Sequence, residues 1–104
     1  MLEDQTTIAK AFSSMAKLGQ QLDEGPDPQV VNQLVRWVST KEQHATNTQH
    51  IIAQYFMTQR IKPGSDGYTE KLKAAHAVMV AAMKCKQTAA AKSAGVLKKA
   101  IFDL

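Results

Sequence analysis

Apolar residues recur at intervals of three and four along three stretches of this chain, the period of an amphipathic helix. The longest stretch runs from Tyr68 to Asp103. Leu72, His76, Met79, Met83, Ala90, Ala94, Leu97 and Ile101 share one stripe there, within a wedge of roughly 60° on a helical projection. The spacing predicts a single helix over 68–103, roughly 50 Å long. A helix of that length cannot bury its seam against itself, so the rest of the chain or another chain must cover it.

The first stretch predicts a helix over about 4–22, capped by Asp4 or Thr6, with the stripe Ile8, Phe12, Met15, Leu18 and Leu22. Asp23 to Pro28 then reads as a turn. Gly25 ends the helix with a positive φ, Pro26 blocks continuation, and Asp27 caps a new helix with Pro28 at its first position. The middle stretch opens with Val30, Val31, Leu34, Val35, Trp37 and Val38. Its seam continues through Lys41, Ala45, Thr48, Ile52, Tyr55 and Gln59 without slipping. That favours one helix over about 28–61. Ser39 with Glu42 makes a capping-box pattern, so a break near Ser39 is the competing expectation. Lys62 to Gly67 is the clearest loop, with Pro63 ending one helix and Asp66 available to cap the next.

These elements predict an all-α fold in one domain spanning 1–104: a small bundle in which the first helix packs on a long antiparallel hairpin. It has three helices, or four if the chain breaks near Ser39. A kink is expected at Ser93–Gly95, because Gly95 weakens the last helix by about 1 kcal/mol relative to alanine. Lys41, His44 and Thr48 interrupt the middle seam. Polar residues there either set register and partner choice or mark a part of the helix that extends into water.

Composition narrows the picture. Aromatic residues are only 6 % of the chain, and alanine and methionine are prominent, which suits close helix–helix packing. The formal charge of +4 is uneven: residues 1–28 carry a net of −3, residues 29–70 a net of +1 and residues 71–104 a net of +6. A basic end of this kind points to an anionic partner or to head-to-tail assembly of acidic and basic ends. The acidic opening Met1 to Gln5 lacks the pattern of a secretory signal, and no apolar run is long enough to span a membrane. A cytoplasmic location is therefore expected.

Chemistry-bearing residues are sparse. His44 and His50 are six apart, which puts them on different sides of a helix. His76 falls in the predicted seam, where a buried, singly bonded imidazole is the simpler outcome. Cys85 is the one cysteine and reads as a packed thiol rather than a nucleophile. No catalytic or phosphate-binding motif occurs, and no motif assigns the chain to a family. No metal, cofactor or catalytic residue is expected, and a small enzyme or metal protein built on His44, His50, His76 or Cys85 is the third choice.

The expectation that follows is a non-enzymatic interaction or assembly subunit, adaptor-like or chaperone-like. Its coiled-coil-like seam would be completed by another chain, self or heteromeric, and it would form an oligomer. Trp37, Tyr55, Phe56, Met79, Met83, Leu97 and Ile101 are the candidate partner-binding residues. The alternative is a nucleic-acid-associated subunit that sets Lys84, Lys86, Lys92, Lys98 and Lys99 on a phosphate backbone.

Overall fold

The turn at Gly25–Pro28 forms as its residues dictate. Gly25 adopts a φ of +150°, and the Asp27 carboxylate accepts a hydrogen bond from the Gln29 N–H at 2.9 Å, with Pro28 opening the next helix. This turn joins α1 (Leu2–Asp23) to α2 (Pro28–Ile51) in the computed structural model, which describes residues 1–104. The helix does not break near Ser39. It continues into a wider π-helical stretch, Ile52–Arg60, then a loop, α3 (Tyr68–Gln87) and α4 (Lys92–Asp103). The fold is all-α, a bundle of four helices.

Several boundaries differ from the sequence expectation. The first helix starts at Leu2, so Asp4 and Thr6 lie inside it and cap nothing. Gly67, with a φ of 71°, takes the N-cap position of α3 in place of Asp66, and no side chain caps it. The single last helix is in fact two. Its break lies at Thr88–Ala91, ahead of Gly95. Thr88 is extended (φ −133°, ψ 157°), and its hydroxyl accepts from the Ala90 N–H at 3.0 Å. A side-chain hydroxyl bonded to nearby backbone offers the chain an alternative to the helical ladder.

The predicted stripe of the last helix is also out of phase on α3. His76 and Met83 are exposed, Met83 at 39 %, while Ala75, Val78, Ala81, Ala82 and Cys85 are buried. The buried face runs one residue earlier than the apolar pattern suggested. Alanine and cysteine carry little weight in such a pattern, yet small side chains set how closely two helices approach.

Across the bundle, α1 runs along α2, α2 along α3 and α3 along α4, with α1 also meeting α4. The core is a cluster of twelve residues: Ile8 and Phe12 from α1, Ala45 from α2, Ile52 and Ile61, and the remainder from α3 and α4. None lies between Phe12 and Ala45. The far half of α1 and the near half of α2 therefore project as a two-helix arm, and the molecule measures 58 × 20 × 19 Å.

Candidate functional site

The polar interruption of the middle seam lies at the centre of the bundle. Lys41 is only 3 % exposed and Thr48 is fully buried, so this part of α2 does not extend into water. The Lys41 ammonium donates to the carbonyl oxygens of Lys86 at 3.1 Å and Thr88 at 2.8 Å. It also lies over the Phe12 ring, 5.4 Å from its centre. The last carbonyls of a helix have no partner within it, and here a lysine from a neighbouring helix supplies one. Lys41 thereby fixes where α3 stops.

Other polar groups close the same junction. The Gln5 side-chain amide donates to the Ala94 carbonyl at 2.9 Å, tying α1 to the start of α4. The Cys85 thiol donates to the Ser93 carbonyl at 3.4 Å. The Nδ1 of His44 pairs with the Asp4 carboxylate at 2.7 Å and holds α1 on α2. The Thr48 hydroxyl donates to the His44 carbonyl at 3.2 Å. No buried side-chain nitrogen or oxygen is left without a partner, so the junction presents no open polar group to a ligand. Burial pushes the Cys85 thiol up to about 11, with the nearby Lys41 charge pulling the other way. At neutral pH it is a thiol, not a thiolate.

The candidate partner residues scatter. Leu97 is buried in the core, and Met79 and Ile101 are half-buried against it. Phe56 is half-buried and meets Tyr55 edge to face at 5.3 Å, while Tyr55 is exposed beneath the Arg60 guanidinium. The π-helical stretch explains this pair. Its wider turn carries the inward position from Tyr55 to Phe56 and then to Ile61. Met83 is exposed on α3. Trp37 is half-buried on the arm, with the Lys10 ammonium 5.8 Å from its ring. The seven residues do not form one surface. Nor do the five lysines form one track: Lys84 and Lys86 end α3, Lys92, Lys98 and Lys99 belong to α4, and Lys99 is paired with Asp103 at 2.8 Å. The role of Lys41 was missed at the sequence level, where it counted only as a gap in a seam.

A small all-α bundle with a buried polar junction is the class the fold defines. Residues 2–104 match the family model of the nickel-containing superoxide dismutases. The chain belongs to that family. No curated protein and no solved structure matches it.

The family match overturns the expectation of a non-enzymatic adaptor, chaperone-like or assembly subunit, and with it the nucleic-acid-associated alternative. The family is one of oxidoreductases, so the absence of an enzymatic motif misled the sequence reading. The metal-ligand spacings weighed in the sequence, His44 with His50 and the single His76 and Cys85, gave no sign of this family.

The residues present do not fit nickel. Imidazole and thiolate suit that ion, and its tetragonal geometry asks for several donors around one point. No group of three His, Cys, Asp or Glu side chains converges anywhere in the bundle. His50 and His76 are exposed on separate helices, His44 is engaged by Asp4, and Cys85 is sealed in the core.

Proposed function

We propose that the chain serves superoxide dismutation as the helical body of a nickel-type dismutase assembly. The observation that carries this is the family match, which extends over the whole bundle, from residue 2 to residue 104. In the overall reaction two superoxide anions and two protons give O2 and H2O2. The net charge of +4, concentrated on α3 and α4, favours the approach of a small anion.

A second chain belongs in this reading. The arm leaves Val31 and Val35 exposed, the latter at 57 %, and Leu18, Leu22, Leu34, Trp37 and Val38 only half-covered. Two helices alone do not bury such a face. Its tip carries Asp23, Glu24 and Asp27, whereas α3 and α4 carry seven of the eleven lysines. That opposition supports a second copy of this chain as the occupant. No helix is long and apolar enough to cross a membrane.

The test is a superoxide disproportionation assay on the chain purified together with its assembly from cells grown with nickel. Activity that follows the nickel content of the preparation is the expected result. An assembly without activity and without nickel would overturn the proposal.

A further inference from the structure

We infer that the side chains of these 104 residues do not hold nickel by themselves, so that nickel chemistry in the assembly draws its donors from outside them. The second half of this inference rests on the function proposed above; the first stands on the donor inventory alone.

The inventory is short. Cys85 is the one sulfur donor with affinity for a metal as thiolate, and it is 0 % exposed within the core cluster. Its hydrogen is committed to the Ser93 carbonyl. Both its burial and its protonation at neutral pH oppose ligation, since a metal ligand must first lose its proton. The Lys41 ammonium is close enough to act on this thiol, and it would repel a divalent cation placed there. Of the imidazoles, His44 already has Asp4 at 2.7 Å. His50 and His76 are exposed on separate helices, and nowhere do three potential ligands meet. A lone exposed imidazole binds divalent metals weakly and exchanges them on desalting.

The experiment loads the purified 104-residue chain with excess Ni2+, desalts it, and reads nickel by mass spectrometry. Thiolate-to-nickel charge-transfer absorption and the melting temperature with and without Ni2+ are read alongside. The expected result is fewer than about 0.1 nickel per chain, no charge-transfer band and an unchanged Tm. Retention of about one nickel per chain would overturn the inference. A charge-transfer band lost in Cys85→Ser would do so too, by naming the ligand. Should Cys85→Ser fail to fold, the nickel content of the wild-type chain decides alone. The two proposals fail separately. Nickel and dismutation in the isolated chain would overturn this inference and leave the function standing. An inactive, nickel-free assembly beside a nickel-free chain would overturn the function and leave the donor inventory intact.

Discussion

Cys85 is the residue whose chemistry the fold changes most. In sequence it stands between Lys84 and Lys86, whose side chains a helix turns roughly 100° away from it, and it reads as a packed thiol. In the folded chain those neighbours point elsewhere along the helix, and desolvation raises the thiol from 9.0 to about 11. The consequence for stability has a definite sign. Below about pH 9 the thiol is protonated in both states and its contribution is fully present. As pH rises from 9 towards 11, the unfolded chain gives up the proton first and stability falls, by about 3 kcal/mol in all if this group acts alone. Urea unfolding at pH 8 and pH 10 should show this decline, and Cys85→Ala should flatten it. Equal slopes for the two proteins would mean that the thiol is not buried as described. His44 and Asp4 illustrate a different point. The aspartate available to cap the first helix and the histidine that broke a seam are partners across 2.7 Å, a pairing between residues 40 apart that no local pattern announces.

At the scale of elements, the separation of α3 from α4 shows tertiary contacts overriding propensity. Ala89, Ala90 and Ala91 are the best helix formers available, and by themselves they argue for a continuous helix. The chain nevertheless leaves the helix there, because Lys41 takes the carbonyls of Lys86 and Thr88 while the Thr88 hydroxyl takes the Ala90 N–H. Breaking the helix lets α4 fold back so that Ala94 and Leu97 enter the same core as Ala82 and Cys85. Lys41→Ala should therefore cost about 2–4 kcal/mol, from two part-buried carbonyls left unpaired and an unfilled space. Lys41→Met keeps most of the volume and should cost less. Chemical denaturation of both variants checks the order. If both are as stable as wild type, Lys41 does not set the end of α3. By contrast, the turn at Gly25–Pro28 was legible residue by residue, because its conformation depends only on the four groups that make it.

The whole molecule is elongated. Its radius of gyration is 16.1 Å, against about 13 Å for a compact chain of this size. The excess comes from the arm, where α1 and α2 pack on each other and on nothing else. An apolar face of this kind is stabilised when a second surface removes it from water. The chain should accordingly run larger than a monomer in light scattering. The double variant Val31→Asp, Val35→Asp should shift it towards the monomer with helical content retained. A monomeric wild-type chain would rule out self-association through the arm.

What the sequence by itself determined is the class of fold, the first two helical segments and the places of the turns that follow each of them. Each of these follows from local spacing and from residues with restricted backbone conformations. It also located the candidate donors, His44, His50, His76 and Cys85, and showed that they were few. Only the tertiary structure decided which face of α3 is buried, where the last helix divides, that Lys41 is a buried residue, and that no three donors converge. The reason is common to all four. A helix with alanine spread round it has no strongly preferred side, and a polar residue acquires its role from the carbonyl or carboxylate that folding brings to it. The periodicity of the chain says that its helices pack. Contacts between positions as distant as Gln5 and Ala94 say how, at 2.9 Å.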